Sequence, residues 1–244
     1  MAFVTGASYG VGAATALALA RDGFAVAVSA RRADNLANTL AQLKGEGARA
    51  IPVVLDLCAP ASIEAAFAQV VAAFGTLDVL VNNAGANLRK RAVDVTAAEW
   101  DAVIATNLTG TFFLSQQFGR HLIAGGRPGS LVNIASTHGL VGAAERSTYG
   151  ISKAAIIHMT RMLAIEWAEH GIRVNAIAPG RLDTPSPSRQ ETDPGYMHAM
   201  LKRIPLHRLA TVEEVAEAAC YLVSPQAASI TGHTLVLDGG LTSA

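Results

Sequence analysis

The sequence is poor in cysteine and aromatic residues and has no excess of charge of either sign. It contains two cysteines, Cys58 and Cys220, and 5% aromatic residues among its 244 residues. Two scattered cysteines are too few for a disulfide framework or a cysteine metal site, and we expect a reducing, cytoplasmic setting. The seven histidines show no ligand-like spacing, so we expect no metal. Because 19 basic and 19 acidic residues cancel, neither nucleic acid nor a membrane is an expected partner.

Charged residues are also missing from residues 2–20, a run long enough to resemble a membrane span. Glycines and hydroxyl groups interrupt its first half, and no basic residues precede it. These features fit neither a secretory signal nor a transmembrane helix. A buried strand at residues 2–4, a glycine turn and a buried helix at residues 13–21 explain the run better.

The glycine turn has the sequence Thr-Gly-Ala-Ser-Tyr-Gly-Val-Gly at residues 5–12. Glycines allow a tight turn and let backbone N–H groups approach a pyrophosphate at the positive end of the following helix. Because a strand precedes the turn and a helix follows it, the context indicates a dinucleotide-binding turn. An ordinary glycine-rich turn is the alternative.

Residues 24–30 form a hydrophobic run that suits a parallel strand buried on both faces. In a dinucleotide-binding fold, an acid at the end of this strand binds the ribose 2′-hydroxyl, whereas a basic residue accommodates a 2′-phosphate. Arg31 and Arg32 follow the strand, and the first acid is Asp34. The sequence therefore favours NADP(H), with NAD(H) possible. A solvated charge pair is the alternative.

Strands alternate with helices through the rest of the chain, which indicates an α/β fold with one doubly wound parallel sheet and helices on both faces. We expect a single domain over residues 1–244. Ligands of such folds bind at the carboxyl ends of the strands, where Asp56 and the Asn-Asn-Ala-Gly sequence at residues 82–85 lie. Asp56 could bind an adenine amine or cap a helix. Two capping boxes, at residues 96–99 and 211–214, open later helices.

Tyr149 and Lys153 lie four residues apart, and therefore on one face of a predicted helix. A nearby ammonium favours the phenolate, so we expect the pKa of Tyr149 to lie well below that of a free tyrosine. A phenol of that kind can donate a proton to a carbonyl oxygen, or take one from an alcohol, near neutral pH. Alone, the pair is a weak signal, because solvated helix faces often carry such pairs.

With these motifs in order, the chain resembles the short-chain dehydrogenase/reductase family along nearly its whole length. The resemblance is carried by Thr5, Gly6, Gly10, Gly12, Asp56, residues 82–85, Asn107, Ser136, Tyr149, Lys153, Pro179, Gly180 and Thr184. It implies a Rossmann-type fold and an oxidoreductase that interconverts a ketone and a secondary alcohol by hydride transfer. Within this family, the chain most resembles the branch that holds 3-oxoacyl-carrier-protein reductases and sugar or gluconate dehydrogenases.

The resemblance also implies four catalytic residues. Tyr149 is the implied general acid and base, and Ser136 orients the substrate oxygen. Lys153 lowers the pKa of the tyrosine and holds the nicotinamide ribose, while Asn107 positions a water. Thr184, with the backbone at residues 177–180, would fix the nicotinamide carboxamide. The expected cofactor contacts are Gly6, Ser8, Tyr9, Gly10, Val11, Gly12, Arg31, Arg32, Asp56, Leu57, Asn83, Ala84, Gly85, Tyr149, Lys153, Pro179, Gly180, Leu182 and Thr184.

The substrate is less clearly indicated. Its expected contacts are Asn87, Ser136, His138 and Tyr149, and a lid is predicted at about residues 181–208. With the Arg-Lys-Arg run at residues 89–91, they suggest a polar or anionic compound, such as a sugar, a sugar acid or a 3-oxoacyl derivative; a solvated loop is the alternative. Members that act on acyl carrier protein often have Arg where this chain has His170, which argues mildly against that partner.

Two further hypotheses concern assembly and activity. The helix at residues 154–168 is apolar over much of its circumference, which suggests burial against a second subunit in a homodimer or homotetramer. A non-catalytic NADP(H)-binding sensor or scaffold is an alternative function. The complete set of catalytic residues argues against it.

Overall fold

Within residues 1–183 and 194–243, which the computed structural model describes, seven parallel strands form one sheet in the order β3-β2-β1-β4-β5-β6-β7. The strands are β1 (Ala2–Val4), β2 (Val26–Ala30), β3 (Ala50–Val54), β4 (Val79–Asn82), β5 (Gly129–Ile134), β6 (Ile172–Pro179) and β7 (Thr234–Leu237). The predicted parallel sheet is confirmed.

Helices cover both faces of this sheet. One face packs against α1 (Gly10–Arg21), α2 (Ala37–Gly45) and α8 (Val212–Val223). The other packs against α3 (Pro60–Phe74), α5 (Thr111–Ala124) and α6 (Ser147–Trp167). Helix α4 (Ala97–Ile104) continues through a π-helical segment, Ala105–Gly110, into α5. Helix α7 spans Pro194–Arg203.

The central strands are hydrophobic on both sides because neither face of the sheet meets water. Every residue of β1, β2 and β4 is buried. Each fully buried Leu or Phe side chain in the two cores contributes roughly 1.5–3 kcal/mol. The sheet is therefore a rigid platform for the residues that follow its strands.

Strand β1 pairs with β2 on one side and with β4 on the other, so the chain reverses its direction of winding between them. A crevice opens at such a point, outside the carboxyl ends of the strands. Buried amides fix the nearby strand ends: Asn82 Nδ2 donates to Asn133 Oδ1 (2.9 Å), and Asn133 Nδ2 donates to Thr160 Oγ1 (2.9 Å). This network ties β4 and β5 to α6.

Both predicted capping boxes are present, at Thr96 and at Thr211. The predicted lid lies only partly inside the described residues, because residues 184–193 lie outside them. Helix α7 was not predicted within that segment. The lid and the single-domain organisation stay predictions. Among the described residues, no helix is long and apolar enough to cross a membrane, and no group of three potential ligands is placed to hold a metal ion.

Candidate active site

The glycine turn joins β1 to α1 in the conformation that its sequence predicts. Gly6 has φ +63°, and a Cβ there would lie 2.7 Å from Ala84 Cα. A Cβ at Gly12 would overlap the Gly6 carbonyl oxygen. Helix α1 begins without a side-chain cap on its first N–H groups. These donors therefore remain available to an anion at the positive end of the helix.

Side-chain hydrogen bonds join this turn to the end of β4. Asn83 Nδ2 donates to the carbonyl oxygens of Thr5 (3.0 Å) and Gly6 (2.9 Å). In return, Thr5 Oγ1 accepts from the backbone N–H groups of Asn83 and Ala84, both at 3.0 Å. The two neighbouring strand ends are thus held as one unit.

A cleft of about 480 Å³ extends from the glycine turn over the ends of β2 and β3. Most of the predicted cofactor contacts line it: Gly6, Ser8, Tyr9, Gly10, Val11, Arg31, Asp56, Leu57, Asn83, Ala84 and Gly85. The cleft is also lined by Ser29, whose buried hydroxyl has no hydrogen-bond partner. Such an orphaned polar atom suits a site for a polar ligand.

The two arginines after β2 differ in their surroundings. Arg31 lines the cleft, and no carboxylate of the described chain lies at ion-pair distance from its guanidinium. Arg32 does not line the cleft and lies 3.7 Å from Asp34 on the surface. Only Arg31 is therefore placed where it could meet a 2′-phosphate.

Asp56 lines the same cleft and also makes a local turn. Its Oδ1 accepts from the backbone N–H of Cys58 (2.9 Å), just before α3 begins. The carboxylate does not cap α3, because the N-cap of this helix is Ala59 and no side chain caps it. The second carboxylate oxygen leaves the adenine contact possible.

A second cavity, of about 230 Å³, shares residues with the first and continues it toward β6. Ser136, Tyr149 and Lys153 line it together, although Ser136 follows β5 and the other two lie on α6. Asn87, Pro179, Gly180 and Leu182 also line it. Thr184 lies outside the described residues.

The Lys153 ammonium lies over the Tyr149 ring and makes its hydrogen bond elsewhere. The Lys153 Nζ lies 5.7 Å from the centroid of the Tyr149 ring and donates to the Ile134 carbonyl oxygen at 2.7 Å. Burial of Lys153 lowers its pKa to about 8. Near this pH the amine over the phenol is therefore present in both its charged and its neutral form.

The expected lowering of the pKa of Tyr149 is wrong. Burial raises the pKa of Tyr149 above its ordinary value, against smaller opposite effects of a hydrogen bond with Ser136 and the charge of Arg146. The lysine, 5.7 Å from the ring centroid, does not reverse this effect of burial. The phenol is thus a proton donor near neutral pH.

Asn107 lies in the π-helical segment, where the helix departs from its usual hydrogen bonding. Its Oδ1 accepts from the Ala86 N–H (2.6 Å), and its Nδ2 donates to the Ala86 carbonyl and to Ser152 Oγ, both at 2.9 Å. A Cβ at Gly85 would lie 3.3 Å from Asn107 Oδ1 and 3.7 Å from Lys153 Nζ. Asn107 therefore holds the backbone beside Gly85 close to the lysine.

His138 stands at the edge of this site. Its ring meets that of Tyr149 edge to face, with centroids 6.1 Å apart, and its buried Nδ1 has no partner. Burial and, to a smaller extent, the charge of Arg146 lower the pKa of His138, so the ring is neutral near pH 7.

Arg146 was missed by the sequence analysis, which considered the Arg-Lys-Arg run instead. That run pairs with acids: Arg89 with Glu145 (2.7 Å), Lys90 with Glu99 (2.8 Å) and Arg91 with Asp94 (3.8 Å). Arg146 Nη1 donates to the amide oxygen of Asn87 at 2.6 Å. The sequence feature that could have indicated Arg146 is its position three residues before Tyr149, which puts both residues on the same side of the helix.

Comparison with known proteins places these features in a family. The family model described as enoyl-(acyl carrier protein) reductase matches residues 6–242. A short-chain dehydrogenase/reductase of Armillaria gallica is 37% identical over 99% of this chain and 95% of that protein. The chain belongs to the short-chain dehydrogenase/reductase family. It is an NAD(P)-dependent oxidoreductase that interconverts a ketone and a secondary alcohol.

Two other members of the short-chain dehydrogenase/reductase family illustrate what the chain is similar to. Cis-4-hydroxycyclohexanecarboxylate dehydrogenase of Sinomonas cyclohexanicum is 41% identical over all of this chain and 96% of that protein. The crystal structure of a gluconate 5-dehydrogenase from Burkholderia cenocepacia J2315, in complex with NADP and tartrate, is 33% identical and superimposes with a TM-score of 0.94. That comparison covers 100% of this chain and 95% of the other.

The cleft fits the nicotinamide cofactor of a short-chain dehydrogenase/reductase. Gly6 and Gly12 of the turn leave no room for side chains, the first N–H groups of α1 have no side-chain cap, and Ser29 offers an unused hydroxyl. These groups suit the phosphates and ribose of a dinucleotide.

Proposed function

We propose that Tyr149 is the general acid and base of this oxidoreductase, with the substrate oxygen between Tyr149 and Ser136. The observation that carries the proposal is the single cavity that Ser136, Tyr149 and Lys153 line together at the carboxyl ends of the strands. The convergence of these groups beside the nucleotide cleft also argues against a sensor that only binds NADP(H).

The proposed chemistry follows from where charge develops. When bound, the reduced cofactor supplies a hydride to the carbonyl carbon. As negative charge grows on the substrate oxygen, the Tyr149 hydroxyl donates its proton and Ser136 Oγ donates a hydrogen bond. In the reverse direction the Tyr149 phenolate takes the proton of the alcohol. The Lys153 ammonium stabilises that phenolate from above the ring.

Asn107 is a positioning residue in this proposal. Its bonds to Ala86 and Ser152 hold the backbone beside the cavity and the first turns of α6. A water between Asn107 and Lys153, as the family resemblance implies, would return a proton to the site. That role stays a prediction.

The proposed cofactor is NADP(H), with NAD(H) as a weaker ligand. Arg31 supports this preference because it lines the cleft without a carboxylate of the described chain at ion-pair distance. The Burkholderia cenocepacia relative in complex with NADP adds support. Lys153 would hold the nicotinamide ribose, and Thr184 the carboxamide.

The proposed substrate is a small hydroxy acid or the corresponding oxo acid, including sugar acids. Relatives that act on cis-4-hydroxycyclohexanecarboxylate and gluconate, and the complex with tartrate, support this choice. A 3-oxoacyl-carrier-protein substrate is less well supported, because His170 replaces the arginine that members acting on the carrier protein often have.

The proposal is tested with a substrate panel in both directions. Cis-4-hydroxycyclohexanecarboxylate, gluconate, threitol and a 3-oxoacyl thioester would be assayed with each cofactor, following absorbance at 340 nm. We expect turnover of the hydroxy acids with NADP⁺. NADPH binding without turnover of any compound would contradict the proposal and favour a sensor.

We also propose a homo-oligomer of one-domain subunits in the cytoplasm, with a lid over the cavity near residues 181–208. Helix α6 carries exposed Ile151, Met162 and Ile165, and α5 carries the exposed pair Phe112 and Phe113. Exposed apolar side chains in this number suit a subunit interface. Light scattering after gel filtration tests the assembly, which a monomer at micromolar concentration would exclude.

A further inference from the structure

Arg146 differs from the cations of the neighbouring loop at residues 89–91. The three cations of the run at residues 89–91 each pair with an acid. Arg146 donates instead to the neutral amide of Asn87, at 2.6 Å. Within residues 1–183 and 194–243 no carboxylate lies at ion-pair distance from its guanidinium.

Arg146 borders the cavity through Asn87 and does not line it directly. Asn87, which holds it, lines the cavity together with Ser136 and Tyr149. Arg146 lowers the pKa of both Tyr149 and His138. A cation that reaches these two side chains also reaches a substrate lying against Tyr149.

Helix stability does not explain an arginine at this position. Arg146 is the N-cap of α6, and its side chain makes no capping bond. A cation there opposes the helix dipole, which is unfavourable for the helix. The preceding Glu145 has φ +62°, a conformation that is strained for a residue with a side chain. Departures from local rules of this kind are typical of functional positions.

Contacts between two loops fix Arg146 in this place. The strained Glu145 is held at both ends: its carboxylate accepts from Arg89 Nε (2.7 Å), and its carbonyl accepts from the Lys90 N–H (2.9 Å). Asn87 belongs to the same loop as these two cations. The guanidinium is thus preorganised, which reduces the entropy lost when it binds a ligand.

The free donors of this pair suit a carboxylate. A guanidinium has five N–H donors in a fork, and Asn87 takes one. Because Asn87 Oδ1 faces Arg146, its Nδ2 keeps two more donors. Arg146 adds one positive charge that suits a monoanion, whereas the cations of the run at residues 89–91 are already paired with acids. Arginine binds carboxylates through two parallel hydrogen bonds.

We propose that Arg146, held by Asn87, binds a carboxylate of the substrate and makes the enzyme select carbonyl and alcohol compounds that carry one. This inference rests on the proposed function, because it assigns the substrate class of the same site. It adds a specificity residue that no motif of the sequence indicated.

The test compares an acid with its neutral amide. The kcat/KM of cis-4-hydroxycyclohexanecarboxylate and of cis-4-hydroxycyclohexanecarboxamide is measured at saturating NADP⁺. We expect the wild type to prefer the acid, and Arg146→Met to lower the acid-to-amide ratio by about 10- to 100-fold, mainly through KM of the acid. Arg146→Lys keeps the charge without the fork, so its ratio should fall less. If Arg146→Met fails to bind NADPH in a fluorescence titration, Arg146→Lys serves as the variant that tests the inference.

Arg91→Met is the matched control, because it removes one positive charge from the same region, where Arg91 lies 3.8 Å from Asp94. Its ratio should equal that of the wild type. An unchanged ratio in both Arg146 variants, or a wild type that oxidises the amide as well as the acid, would overturn the inference while leaving the oxidoreductase intact. Full activity of Tyr149→Phe would instead remove the proposed function.

Discussion

The Lys153 ammonium lies above the Tyr149 ring, 5.7 Å from its centroid, and donates its 2.7 Å hydrogen bond to the Ile134 carbonyl and not to the phenol. The two groups therefore lie close together without sharing a proton. Each resists ionisation, because burial lowers the pKa of the amine and raises that of the phenol. The site therefore holds a neutral phenol that can donate its proton.

Stability should report the buried ammonium directly. The pKa of Lys153 is about 8 in the folded chain, against 10.5 for an ordinary lysine. Between these values the unfolded chain binds more protons, so this group makes the free energy of unfolding rise with pH. Relative to Lys153→Met, the wild type should gain up to about 3 kcal/mol from pH 8 to pH 10.5. Below pH 8 the difference should be constant.

Urea unfolding of both proteins at several pH values measures this difference. Lys44→Met is the control, since Lys44 is exposed on α2, and its difference from the wild type should not depend on pH. A pH-independent difference for Lys153→Met would mean that Lys153 titrates normally.

Tyr149→Phe should remove most turnover and leave cofactor affinity largely intact. The substitution deletes the proton donor but keeps the ring against His138. General acid–base catalysis contributes typically 10²- to 10⁴-fold, so we expect a loss of kcat in that range. Initial rates and NADPH fluorescence titration measure the two quantities.

Tyr221→Phe makes the same change at a half-exposed tyrosine on α8 and should behave as the wild type. If Tyr149→Phe kept a rate within a few-fold of the wild type, another group would have to supply the proton.

Arg31→Ala should weaken NADPH far more than NADH. A hydrogen-bonded charge contributes about 1.5–3 kcal/mol, so NADPH affinity should fall roughly 10- to 100-fold while NADH affinity changes little. Dissociation constants for both cofactors are measured by fluorescence. Arg32→Ala is the control, because Arg32 lies 3.7 Å from Asp34; equal losses for both cofactors in Arg31→Ala would reject a contact with the 2′-phosphate.

Much of the fold could be predicted because local signals and tertiary structure agree. Glycine with positive φ marks the turn at residues 5–12, and both Thr-x-x-Glu boxes open helices where the pattern places them. Hydrophobic runs mark the strands because both faces of the sheet are covered. Helix α7 was missed because proline and charged residues around it obscure its periodicity.

The sequence could predict which residues form the site, but not the pKa values of their side chains. Motif spacing named Ser136, Tyr149 and Lys153, which line the cavity together: Ser136 follows the end of β5, and the other two lie one turn apart on α6. The pKa of Tyr149 depends on how completely packing removes water, which spacing alone does not specify. Arg146 was missed because its partner, Asn87, is 59 residues away in the sequence, a contact that only the fold creates.

The contact between α5 and α6 allows a test of the packing that supports the catalytic helix. A Cβ at Gly119 would lie 2.6 Å from the ring of Trp167, which is 8% exposed and cannot move freely. Overpacking of this kind typically costs 1–3 kcal/mol, which exceeds the gain of up to about 1 kcal/mol from replacing glycine in a helix. Gly119→Ala should therefore lower the free energy of unfolding by about 1–2 kcal/mol.

Gly45→Ala is the control, because a Cβ at this helical glycine meets open space. This substitution should leave the free energy of unfolding equal or slightly higher. Urea unfolding at one protein concentration measures both, and a Gly119→Ala protein as stable as the control would mean that the two helices separate at little cost.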